Sequence, residues 1–203
     1  PFMNDNIGGL LLGGNQITSA RLIFNGTGPV ALPDVPTTEI TQTLTGPFNN
    51  MGVPGAKSFH LLAPSYGDAS GVMNGSANPY FVRFRSSPTA SVLDDALAQS
   101  PTFFSLWIGN NDVLGFATTG GDGTNPITDD ATFSEAYTNL VQKLTANGAK
   151  GIVANIPDVS TAPHFNVVPF NPLDSNNPAF GPMIPTLNAT FAQLNQAFAF
   201  LGQ

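Results

Sequence analysis

The sequence predicts an α/β domain built on a parallel sheet flanked by helices. Three observations predict it. An apolar run, Thr102–Ile108, stops at Gly109-Asn110-Asn111-Asp112. A long stretch, residues 131–147, repeats Phe133, Ala136, Tyr137, Leu140, Val141 and Leu144 at helical spacing. A second apolar run, Gly151–Ile156, is halted by Pro157-Asp158. Strand, helix and strand in such close succession form a βαβ unit, whose two strands run parallel.

The elements follow in chain order. Residues 1–45 read as a loop-rich lead-in, and 46–203 as the α/β part. Within the lead-in, Gly8–Gly14 brackets three leucines and reads as a packed loop or short helix. Ala20–Phe24 reads as a strand, and Asn25–Pro29 and Pro33–Pro36 carry turn chemistry. Ser91–Ala98 reads as a short helix, and Thr102–Ile108 as a buried strand. The helix over 131–147 starts at an aspartate cap, Asp129 or Asp130, where negative charge is favoured. It stops at Gly148. Gly151–Ile156 is the second strand, residues 165–184 are a Pro-rich loop, and Leu187, Phe191, Leu194 and Phe198 outline a last amphipathic helix, its phenylalanines read as core.

Composition narrows the function. The chain has 203 residues, enough for one domain with a real core. Charged residues are only 9%, against about 25% in ordinary soluble proteins, so neutral polar groups must solvate the surface. The 16 Phe argue against disorder. Six basic against thirteen acidic residues leave no electrostatic footprint for nucleic acid. No apolar run approaches the ~18 residues that span a membrane. With no Cys, the chain offers no disulfide and no thiolate, and two separated His, His60 and His164, do not make a metal site. The opening at Pro1 and the stop at Gln203 read as the ends of an internal piece of a longer polypeptide.

An α/β sheet places its ligand site at the carboxyl ends of its strands. That rule points to three loops, Asn49–Gly55, Gly109–Asp112 and Asn155–Asp158. Glycine lets a backbone N–H approach a ligand closely, and a side-chain amide after a strand offers a second donor. Two such donors converging at strand ends form an oxyanion hole for a developing ester oxyanion. The expectation is that the amide of Gly55 and the carboxamide of Asn111 share one rim of the sheet.

At these residues the sequence resembles the SGNH (GDSL-type) esterases and lipases. Gly109-Asn110-Asn111-Asp112 matches the family's Gly-x-Asn-Asp block, and Asn50 with Gly55 matches the block that places the oxyanion glycine five residues after an Asn. Asn50–Leu62 and Pro101–Pro157 are most similar to large secreted or cell-envelope members of Bacteroidetes-like bacteria; residues 1–45 and 165–203 match loosely. The resemblance implies a flavodoxin-like SGNH hydrolase fold, incomplete in this chain. It implies a serine-nucleophile attack on an acyl ester without any cofactor, and an extracytoplasmic location. It makes the Gly55 N–H and the Asn111 amide the oxyanion hole. Asn50, Gly109 and Asp112 become structural supports.

The departures are as informative. No Gly-Asp-Ser-like block supplies a nucleophile, and no Asp-x-x-His block supplies the base. Ser58, Ser70 and Ser105 lack a strand-to-helix elbow, and Gly67-Asp68-Ala69-Ser70-Gly71 follows no apolar strand. His60 reads as a packed or surface histidine at an early helix turn, and His164 lies on a Pro-containing loop. Gly120-Gly121-Asp122-Gly123 is a lone Gly-rich loop. The partners expected are therefore an acyl-ester substrate and either flanking segments of the same polypeptide or a second copy, because a parallel sheet lacking its central strand leaves exposed ladder groups. The alternative reading is an inactive SGNH-like module that binds carbohydrate or a protein partner.

Overall fold

A computed structural model describes residues 5–166 and 174–202. It is a mixed α/β protein with three small sheets, one of them parallel, and several helices. The chain divides into two units, residues 1–157 and 158–203.

The first unit begins with two hairpins. Strands β1 (Leu10–Leu12) and β2 (Asn15–Thr18) pair antiparallel through the two-residue turn Gly13-Gly14. Both glycines have positive φ, the geometry of the tightest hairpin turn. The expected packed loop or short helix is thus a hairpin: three leucines between glycine pairs are too few to display a period-2 pattern. Strands β3 (Leu22–Phe24) and β4 (Pro29–Ala31) form the second hairpin. Its turn is fixed by Asn25, whose Oδ1 accepts from the amides of Thr27 and Gly28. Leu10 and Ile40 are fully buried with Val82, so the lead-in shares a core with the residues that follow it.

Helix α1 (Pro79–Val82) starts with proline behind the cap Asn78, whose Oδ1 accepts from the Tyr80 amide. Helix α2 (Val92–Leu97) has a reciprocal cap. The Ser91 hydroxyl accepts from the Asp94 amide and the Asp94 carboxylate accepts from the Ser91 amide. Strand β5 (Phe103–Leu106) is followed by helix α3 (Asn110–Thr118), helix α4 (Asp130–Thr145) and strand β6 (Lys150–Val153). Strands β5 and β6 pair in parallel, Phe103 opposite Lys150 through Leu106 opposite Val153. Asp129 caps α4 by accepting from the Thr132 amide, as its position before the apolar repeat predicts.

Helix α4 lies against one face of this sheet. Leu140 and Leu144 pack with Leu93, Leu106 and Ile108. The other face corrects the expectation of buried strands. Phe103 is 58% exposed, Trp107 65% and Ile152 63%. All four residues of β6 are exposed. Parallel sheets are ordinarily covered on both faces; among the described residues of this unit, only one face of β5 is. The outer edge of β5 is open as well. Lys150 N–H donates to Thr102 O and Ala154 N–H to Leu106 O. In a parallel ladder this turns the backbone groups of Phe103, Ser105 and Trp107 to the opposite edge, where no described strand pairs.

The second unit contains a short 3-10 turn (Val159–Thr161), helix α5 (Pro163–Asn166), another 3-10 turn (Gly181–Met183) and helix α6 (Ile184–Phe200). The expected Pro-rich loop over 165–184 falls partly on residues 167–173, which lie outside the described residues. The amphipathic helix is present, but its stripe is not core: Phe191, Leu194 and Phe198 are 56%, 44% and 45% exposed.

Candidate functional site

The rim at the carboxyl end of β5 is held together by an interlocking set of hydrogen bonds. Val53-Pro54-Gly55-Ala56 is a turn closed by Ala56 N–H donating to Val53 O. Proline at its second position and Gly55 at φ +78° give it type II geometry. The closing bond uses the Ala56 amide, so the Gly55 N–H lies outside the turn's own bonding. A Cβ at Gly55 would meet nothing within 4 Å, so the space over this backbone is open. Asn78 steadies the turn from outside, donating Nδ2–H to Pro54 O at 2.8 Å and to the Tyr66 hydroxyl at 3.1 Å. Asn50 closes a local turn, its Oδ1 accepting from Gly52 N–H at 2.9 Å.

Helix α3 brings the second donor. Gly109 sits at φ +117° immediately before it. A Cβ here would fall 2.5 Å from Ile156 Cδ1 and 3.2 Å from Phe133 Cε2. The backbone angle requires glycine, and any side chain here would also have to displace Ile156. The sharp entry carries Asn111 and Asp112 into the first turn, facing the Gly55 segment.

Three bonds then zip the two segments together. Asn111 Nδ2 donates to Ala56 O at 2.9 Å. Ser58 N–H donates to Asp112 Oδ2 at 2.8 Å, and Ser58 Oγ–H to Asp112 Oδ1 at 2.7 Å. Ser58 is fully buried and Asp112 only 2% exposed, so this junction is dry. Lys57 Nζ reaches Asn125 Oδ1 and Pro126 O, tying in the loop before α4. His60 lies in the 3-10 turn Ser58–Leu62, half-buried, its ring stacked on Tyr66 with centroids 4.6 Å apart. Its Nδ1 accepts from the Lys57 amide at 3.0 Å. Burial holds the imidazole below its ordinary pKa, the Lys57 ammonium lowers it further and the Asp112 carboxylate opposes them.

Thus Gly55 and Asn111 lie on one rim, joined through Ala56, with Asn50, Gly109 and Asp112 around them. The third loop, Asn155–Asp158, contributes Ile156 against Gly109; Asp158 caps its own 3-10 turn by accepting from Ser160. Ser58, read from the sequence as a serine without an elbow, and His60, read as a packed or surface histidine at an early helix turn, both take part, together with Lys57 and Asn78, which the sequence did not single out. No signal in the sequence marks Asn78, 24 residues from the carbonyl it holds. Ser58 is committed to Asp112 and shielded from solvent, so it is not an available nucleophile. Ser70 lies in a 3-10 turn capped by Asp68, and Ser105 lies on β5. His164 stacks edge-on against Phe165 in the second unit. Among the described residues no group of three or more potential metal ligands converges. Among them, too, no helix is long and apolar enough to cross a membrane.

A groove of about 1120 Å³ opens beside this rim. It is lined by Phe103–Trp107, by Asn50 and Val53, by Val92 and Ala96 of α2, and by Leu140 and Leu144 of α4. Gly109, Asn110 and Asn111 close one end. The Asn110 Oδ1 is shielded from solvent and has no hydrogen-bond donor.

Comparison with protein-family models, with curated proteins and with solved structures finds no match to this chain.

Proposed function

We propose that the chain supplies the oxyanion hole of a serine ester hydrolase of SGNH type, on a flavodoxin-like sheet. The observation that supports this reading is the zip of Ala56 and Ser58 to Asn111 and Asp112, which brings the residue after Gly55 into direct contact with the Asn111 carboxamide. An Asn side chain has two amide hydrogens. One binds Ala56 O, and the reading assigns the other, with Gly55 N–H, to the substrate. A serine hydroxyl attacks the ester carbonyl carbon while a histidine takes the hydroxyl proton. The carbonyl oxygen becomes an oxyanion held by the two donors. Collapse expels the alcohol, which receives that proton, and water then releases the acid by the same steps.

The serine and the Asp/His pair come, in this reading, from further segments of the same polypeptide. The open edge of β5 supports that arrangement. An extended segment laid in the groove would pair with Phe103, Ser105 and Trp107 by strand addition. By resemblance alone we place the protein outside the cytoplasm, acting on acyl esters of secreted or envelope material.

A fluorophosphonate probe applied to the intact protein tests the proposal. The expected result is one labelled serine in a Gly-Asp-Ser-like block. Absence of labelling would instead favour an inactive SGNH-like module binding carbohydrate or a protein partner. The commitment of Ser58 to Asp112 is the observation on that side.

A further inference from the structure

The peptide group between Ala56 and Lys57 is gripped at both ends. Its oxygen accepts from Asn111 Nδ2, and its N–H donates to His60 Nδ1. We propose that His60 is a pH-responsive positioning residue for the Asn111 donor: the neutral ring fixes this peptide plane, and protonation at Nδ1 releases it. This rests on the oxyanion-hole reading only for its catalytic consequence.

The chemistry follows from the tautomer. A ring nitrogen that accepts carries no hydrogen, so native His60 is neutral with its proton on Nε2. Protonation turns the acceptor into a second donor facing the Lys57 N–H. That contact becomes repulsive, and the Lys57 amide loses its partner in a half-buried site. His60 stands where a Glu or Gln of a capping box would reach back to the N-cap amide. Unlike Gln, it gives up its acceptor capacity near neutral pH. Because the peptide is planar, rotation at its N–H end moves the carbonyl that Asn111 holds. The Ser58–Asp112 bonds anchor the following residue, so the freed motion falls on residues 55–57.

The charged groups that bear on the ring are the Lys57 ammonium and the Asp112 carboxylate, with the Tyr66 phenol stacked against it. Helices α2 and α4 also pack against this turn. On α2, Asp94 and Asp95 are bonded to Ser91 and Ser86. On α4 the charged residues are Asp130, Glu135 and Lys143. The shift is downward, so the sign is definite. Stability from neutral His60 is complete above the unfolded-state value near 6.5 and is lost as pH falls through the folded value.

The test is an NMR titration of the labelled protein, following the His60 ring, the Lys57 backbone amide and the Asn111 side-chain amide. All three should shift with one midpoint below about 6.5. Lys57 amide exchange, corrected for its intrinsic pH dependence, should quicken about tenfold as His60 protonates, the weight of one lost hydrogen bond. His60→Gln keeps an acceptor and should hold the Asn111 signal flat across the same range. An Asn111 amide unmoved while His60 titrates, or a His60→Gln variant showing the same midpoint, would overturn the proposal. The readout is independent of turnover: absent esterase activity leaves the coupling intact, and absent coupling leaves the oxyanion-hole reading intact.

Discussion

The two sides of β5 differ sharply. Beneath α4, Leu106 and Ile108 are buried in one cluster with Leu93, Leu140 and Leu144, and the strand end beyond them is locked by the Ser58–Asp112 and Asn111–Ala56 bonds. On the opposite face, Phe103 and Trp107 are more than half exposed, and the backbone groups of Phe103, Ser105 and Trp107 turn to an edge where no described strand pairs. The contact between the Ala56–Ser58 segment and the start of α3 is thus complete within the first unit, made by Asn111–Ala56 and Ser58–Asp112. Among the described residues no strand pairs with the outer edge of β5.

This contrast can be broken from the covered side first. Leu140→Ala should destabilise the first unit by about 2–5 kcal/mol, since Leu140 is 1% exposed and its loss leaves a cavity under β5; denaturant unfolding measures it. Ser58→Ala should cost about 1–3 kcal/mol by depriving the buried Asp112 carboxylate of a donor. Ser91→Ala, which removes the α2 cap, should cost about 1 kcal/mol in the same assay. Trp107→Ala, on the open side, should fall within about 0.5 kcal/mol of wild type. Phe103→Lys sharpens the contrast differently. It should leave stability unchanged while lowering self-association in sedimentation velocity, because charge on an open strand blocks edge pairing.

The sequence displayed what local periodicity can display. The α4 repeat, its Asp129 cap and the Gly148 stop lie within one continuous stretch and describe a helix without reference to anything else. The apolar runs marked β5 and β6, but burial depends on what covers a strand, and a run of Phe, Leu and Ile does not say whether a second layer exists. The α6 stripe shows the same limit: Phe191 and Phe198 have the spacing of core residues and lie exposed. At the site, Gly55, Asn111 and Asp112 stood out because their residue types suit strand-end loops. The bond from Ser58 to Asp112 spans 54 positions and left no local trace. His60 was legible as a histidine on a turn; its acceptor role was not, because the capping pattern at that offset ordinarily carries Glu or Gln.

The most direct test of the oxyanion hole is the turnover of a simple aryl ester by the intact protein carrying Asn111→Ala. The account predicts a loss of about 100- to 1000-fold in kcat with the fold retained, the usual consequence of removing one oxyanion donor. A folded variant that hydrolyses the ester at the wild-type rate would contradict it.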